Sequence, residues 1–242
     1  MIDMHDVMGK LSKKRKIFHS EADFQLALAR EIESIYPSAK IVLEGQPLTF
    51  IHDEKGDDND DNYNSNKLKK AIDISFWLEN RLYIIELKYM KATIEAEIDG
   101  KRFKLKYPDE NQNCRDYFYR DILRIENAVN SHSIECGFAI LLTNYQPFWD
   151  KDHKLNGYKK PKLDWNKYPA FKVYDGATIP KKNEWHDSAK DLRKRDSVEF
   201  GGEYPVHWAD YSTIETQNCI SHSENSVFKY LLIHIPSDPL VG

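Results

Sequence analysis

Residues 71 to 89, AIDISFWLENRLYIIELKY, constrain the fold more than any other stretch, because they set three charged side chains into an otherwise apolar hairpin. The first arm alternates Asp73, Ser75 and Trp77 against Ile72, Ile74, Phe76 and Leu78. The second alternates Ile84, Glu86 and Lys88 against Tyr83, Ile85 and Leu87, the period of two that strands require. Glu79-Asn80-Arg81 makes the turn. Two acids and a lysine therefore share one edge of a sheet that is otherwise fit for a core. Charges in that position are costly unless they meet a metal, each other or a ligand.

Around the hairpin the pattern is α/β. Ser20 precedes a helical segment that stops before Pro37, and Asp23 stands three residues on in an approximate capping box. Phe24, Leu28, Ile32 and Ile35 form its buried stripe. Residues 39–44 read as a strand. Residues 115–130 read as a helix with Phe118, Ile122, Ile125 and Val129 inward, and 137–144 as a strand covered on both faces. The order predicts a central mixed β-sheet flanked by helices, with a crossover helix between the hairpin and the next strand. Residues 206–211 and 228–235 read as closing strands, so a C-terminal extension, 151–242, completes the same domain as the core at 19–150.

Other stretches read as polar surface. Residues 1–18 form a basic leader, solvated or phosphate-contacting. Residues 53–67 form an acidic loop expected to be mobile, and 93–113 is charged and irregular, with Lys101, Arg102 and Lys104 as candidate nucleic-acid contacts. Between 146 and 195 lysines and arginines interleave with Trp149, Tyr158, Trp165, Tyr168 and Trp185, as on a nucleic-acid surface or on long loops anchored by aromatics. Asp121 and Arg124 fall on the polar side of their helix and read as solvated.

Charge limits the class of partner. The net charge of -4 comes from residues 53–62, which carry -5 and leave the rest at +1. A nearly neutral body with clustered lysines and arginines can present a local basic surface. Three cysteines without ligand spacing imply neither a disulfide framework nor a structural zinc. No apolar run approaches the roughly 20 residues that span a bilayer, and the N-terminus lacks a signal-peptide core. The expected setting is cytoplasmic, with no membrane.

Glu21 adds a fourth charge. At about 100° per residue it lies between Leu28 and Ile32 on the helix's apolar stripe, which directs it inward toward the hairpin's charged cluster. Gln25, one turn on, can support the same place. Asp/Glu-x-Lys occurs four times in the chain, at Asp53, Glu86, Asp99 and Asp152, and only Glu86-Leu87-Lys88 lies within an apolar strand.

With Ile72-Asp73 in place of Pro-Asp, then Glu86-Leu87-Lys88, flanked by SEADFQ at 20–25 and YRDILRIE at 119–126, the chain resembles the PD-(D/E)XK nuclease superfamily. The resemblance covers residues 19 to 145. It implies a restriction-endonuclease-like core and a metal-dependent endonuclease acting on nucleic acid, DNA foremost, through metal-activated water. A nucleic-acid-binding or assembly module with a silent site is the alternative. Asp73, Glu86 and the Leu87 carbonyl would hold Mg²⁺ or Mn²⁺, Lys88 would orient or help deprotonate the water, and Glu21 would complete the catalytic set. Cutting both strands calls for two sites, hence a homodimer.

Overall fold

Six strands make the central sheet of the computed structural model, which describes residues 2–45, 71–107, 114–131, 134–152, 173–183 and 198–237. The chain enters through α1 (Met4–Lys14) and α2 (Glu21–Ile35), then β1 (Lys40–Gly45), β2 (Ile72–Leu78) and β3 (Arg81–Met90). A side hairpin follows, β4 (Ile94–Ile98) and β5 (Lys101–Leu105), then α3 (Cys114–Ser131) and β6 (Ile134–Thr143). Four two-residue strands, β7 (Thr178–Ile179), β8 (Lys182–Asn183), β9 (Val198–Glu199) and β10 (Tyr204–Pro205), lead to β11 (Trp208–Thr213), β12 (Cys219–Ser221) and β13 (Val227–Pro236).

The sheet order is β1-β2-β3-β6-β13-β11. Its pairs are antiparallel except β3 with β6, and α3 supplies the crossover that a parallel pair needs. Alternation along β3 and β6 divides the core. Tyr83, Ile85, Leu87, Phe138, Ile140 and Leu142 pack toward α1 and α2, while Ile84, Ala139 and Leu141 pack toward α3. Ile72 leaves the alternation and joins the α3 side; the β2–β3 register begins only at Ile74.

The hairpin turn is tighter than its sequence suggests. Leu78 pairs directly with Arg81, and Glu79 and Asn80 both take positive φ, the conformation of a two-residue turn matched to strand twist. Ser20 caps α2 as expected, accepting from the Asp23 N–H at 3.1 Å, while Asp23 accepts from the His19 N–H at 3.0 Å. Ser20→Ala should therefore cost about 1 kcal/mol in urea denaturation; an unchanged midpoint would show that tertiary packing alone sets the start of α2.

Two expectations change. Residues 1–18 are no solvated leader: Met4, Val7, Met8, Leu11, Ile17 and Phe18 are buried, and Lys14 is bonded to the buried Glu31 at 2.7 Å. Apolar spacing inside a basic segment made it an amphipathic helix. Residues 94–105 are an ordered hairpin turning at Asp99-Gly100, both with positive φ; its buried Phe103 and Leu105 alternate with exposed Arg102 and Lys104. At the other end of the chain β13 and β11 occupy one edge of the central sheet, and α1 packs beneath it. The acidic loop at 53–67 lies outside the described residues, as do Tyr158, Trp165, Tyr168 and Trp185.

Candidate functional site

The centre of β3 carries Glu86 and Lys88 on the side that faces α3. Glu86 is 1% exposed, deeper than a carboxylate goes without cationic company. Asp73 comes from the neighbouring strand, and its Oδ2 accepts from the Leu87 N–H at 2.6 Å. That bond ties the aspartate to the segment Glu86-Leu87-Lys88. Gln25 braces the pair from α2, donating to the Asp73 carbonyl at 2.6 Å and to Glu44 Oε1 at 2.9 Å.

The wall opposite Glu86 and Lys88 is α3, not α2. Asp121 Oδ2 lies 2.8 Å from Lys88 Nζ, Arg124 Nη1 lies 2.8 Å from Glu86 Oε1, and Arg124 Nη2 is paired with Asp121 Oδ1. The expectation of a solvated Asp121 and Arg124 is thus overturned: Asp121 is 2% exposed and the Arg124 side chain is mostly covered. Asp121 lies about 70° from the centre of the stripe set by Phe118, Ile122, Ile125 and Val129, so periodicity alone left it at the boundary. The signal that could have found it was charge complementarity, since Asp-x-x-Arg on a crossover helix matches Lys88 and Glu86 on the strand it covers.

Glu21 reaches the cluster from the other layer. Its Oε2 accepts from the Tyr89 N–H at 2.8 Å, and its Oε1 is 4.0 Å from Lys88 Nζ. Lys88 also donates to the carbonyl of Leu87 at 2.8 Å, the atom expected to serve a metal. Lys101, Arg102 and Lys104 lie apart on the β4–β5 hairpin, exposed, with Arg102 Nε bonded to Glu95 at 2.6 Å.

The electrostatics follow from burial. Burial raises the pKa of Glu86 well above the carboxylate range; Asp121 and Asp73 add to the rise, and Arg124 and Lys88 oppose it. Asp121 is raised by burial too, against the pull of Lys88 and Arg124. Burial also raises Glu21, offset by Lys88 and the Tyr89 N–H. For Lys88 burial favours the neutral amine, but Asp121 and Glu21 outweigh it and hold the group above the ordinary lysine value. Lys88 is therefore held as a cation in this arrangement, which suits charge stabilisation.

Carboxylate oxygens and a backbone carbonyl are the donor types that a hard cation takes. Glu86 Oε1 and Asp121 Oδ2 are buried without a well-directed hydrogen bond, although a cationic nitrogen is within 2.8 Å of each. Among the described residues no group of three or more His, Cys, Asp or Glu side chains forms a ready metal cage; the carboxylates converge on Lys88 and Arg124 instead. No described helix is long and apolar enough to cross a membrane. Comparison with family models, curated proteins and solved structures yields no match to this chain.

Proposed function

We propose that this chain is a metal-dependent endonuclease that hydrolyses phosphodiester bonds in DNA, built on a restriction-endonuclease-like core of α2, β1, β2, β3, α3 and β6. The observation that carries the reading is the gathering of Asp73, Glu86 and Lys88 on two neighbouring strands, with Asp73 tied to the Glu86-Leu87-Lys88 segment by the Leu87 N–H at 2.6 Å and Glu21 reaching Lys88 from α2. Carboxylate and carbonyl oxygens are the donors that Mg²⁺ or Mn²⁺ favours.

Asp73, Glu86 and the Leu87 carbonyl are the donors that would hold it. Bound there, the ion would polarise a phosphoryl oxygen and acidify a water molecule. Asp121 keeps Lys88 protonated and in place, so that the ammonium offsets charge on the phosphate. Glu21 has one oxygen fixed by the Tyr89 N–H and the other turned toward Lys88. A carboxylate in that place can accept a proton from an attacking water.

Wild-type protein should nick or cut plasmid DNA in Mg²⁺ or Mn²⁺ but not in EDTA, and Asp73→Ala or Lys88→Ala should reduce the rate by about 10²–10³-fold with unchanged circular dichroism. Intact DNA after incubation of wild type in both metals would sink the reading. A silent nucleic-acid-binding module is favoured by one observation, that Arg124 and Lys88 already occupy Glu86 and the Leu87 carbonyl. DNA binding that persists in EDTA, without turnover in metal, is the result that selects it.

A further inference from the structure

We propose that the DNA held beside the Glu86–Lys88 cluster is single-stranded, with unpaired bases stacked on Tyr107 and Tyr117 at the mouth of the site, an assignment that rests on the nucleic-acid reading above and needs no metal.

Topology brings the two rings to one place. β3 and β6 run parallel, and α3 crosses between them in the opposite direction. The start of α3 therefore lies at the carboxyl ends of both strands, the end at which open α/β sheets take their ligands. Tyr117 is one turn before Asp121, which is 2.8 Å from Lys88, and about 40° around the helix from it. Asp121 is buried, whereas Tyr117 is 45% exposed.

Tyr107 reaches the same end by a different route. Its N–H donates to Thr93 Oγ1 at 3.2 Å, three residues past the end of β3 at Met90. Its ring meets that of Tyr145, two residues past the end of β6 at Thr143, with centroids 5.2 Å apart and planes at 65°. Tyr145 in turn packs against the buried Phe148 at 5.9 Å. Tyr107 is thus 42% exposed but braced from behind. Apolar side chains exposed singly need no explanation. These two are the exposed tyrosines among the described residues, however, and both stand at this one mouth.

Charge and ring chemistry select the ligand. Lys104 and Lys106, both exposed, alternate along β5 and just beyond it toward Tyr107. Rings beside lysines make a surface on which bases stack while the cations follow the phosphates. A duplex keeps its base faces inside its own stack and has none to offer the tyrosines; a single strand exposes them. Stacking reads no hydrogen-bonding edge, so the site tolerates any sequence.

The test is fluorescence anisotropy in EDTA at one fixed salt concentration. The probe is a fluorescein-labelled oligothymidylate of about 12 nucleotides, single or annealed to oligoadenylate, and the protein is the full chain. Wild type should bind the single strand about tenfold more tightly than the duplex. Tyr107→Ala and Tyr117→Ala should each weaken single-strand binding by about tenfold and leave duplex binding as it was. Tyr107→Phe and Tyr117→Phe keep the ring and should bind like wild type. If Tyr107→Ala loses its circular dichroism, the Tyr117 pair decides. Equal or tighter binding of the duplex by wild type, or alanine variants that bind the single strand like wild type, overturn the stacking site. Plasmid cleavage in Mn²⁺ by a protein with no preference for the single strand overturns the stacking site and leaves the nuclease. Single-strand binding that the alanine variants lose, with no cleavage in Mg²⁺ or Mn²⁺, supports the stacking site and overturns the nuclease. Wild type that binds neither form and cuts neither overturns both.

Discussion

On the nuclease proposal, Glu86→Gln should lower Mg²⁺-dependent DNA cleavage by about 10³-fold, equivalent to ~4 kcal/mol of transition-state stabilisation, and it should make the protein more stable at pH 8 in EDTA. The two effects share one cause. Glu86 lies buried beside Asp121, so its carboxylate is held at a pKa above its ordinary value of 4.5. In the unfolded chain the group ionises near that ordinary value. Over the window between the two values unfolding releases a proton, and stability falls as pH rises through it. Below the window both states are protonated and wild type and variant should melt alike. Glutamine is neutral throughout, so its advantage should grow with pH in EDTA. Mn²⁺ should reverse the order, stabilising wild type by mass action and leaving Glu86→Gln unaffected. Melting curves from pH 4 to 9, with and without Mn²⁺, check this; a variant less stable than wild type at every pH would show that Glu86 is there for its bridge to Arg124.

The second large effect is structural and lies at the seam that positions α3. Gly137, on β6, faces α3 where a side chain does not fit: an added Cβ would stand 2.1 Å from Ile125 Cγ2 and 3.1 Å from Ile84 Cγ1. Both isoleucines are fully buried, so neither can swing into solvent. Gly137→Ala should cost about 1–3 kcal/mol of stability in chemical denaturation and push α3 off the sheet. Arg124 immediately precedes Ile125, and Asp121 is one turn back, so the same displacement should draw them from Glu86 and Lys88 and slow cleavage. Ile125→Ala alone leaves a cavity and costs about 2–5 kcal/mol. Combined with Gly137→Ala the new methyl fills part of that space, so the double variant should be less destabilised than the sum of the two. A Gly137→Ala protein that melts like wild type would mean that α3 can stand further from β6 without loss.

Much of this architecture could be read along the chain, where a local period carried it. The Ser20 cap and the stripe Phe24, Leu28, Ile32 marked α2, and the alternation around Asp73 and Glu86 marked β2 and β3. Reading failed where two signals conflicted. In residues 1–18 the lysines outvoted Met4, Val7, Met8 and Leu11, and in 94–105 the charges of Lys101, Arg102 and Lys104 hid the turn at Asp99-Gly100. Each error took surface charge as evidence of irregular chain, although an amphipathic element has a charged face by construction.

The candidate site divides along the same line. Glu86 and Lys88 fall on one face because strand alternation is local geometry, and Glu21 points inward by helical angle alone. That Asp121 and Arg124 complete the cluster could not be derived in this way. Their place depends on α3 crossing over β3 between two parallel strands and on Gly137 letting it come close, so that Asp121 meets Lys88 and Arg124 meets Glu86. Periodicity assigns a residue to a face of its own element. Which charges then meet across the gap is decided by the packing distance and direction of two elements far apart in the chain, and that same packing sets how strongly burial shifts each group.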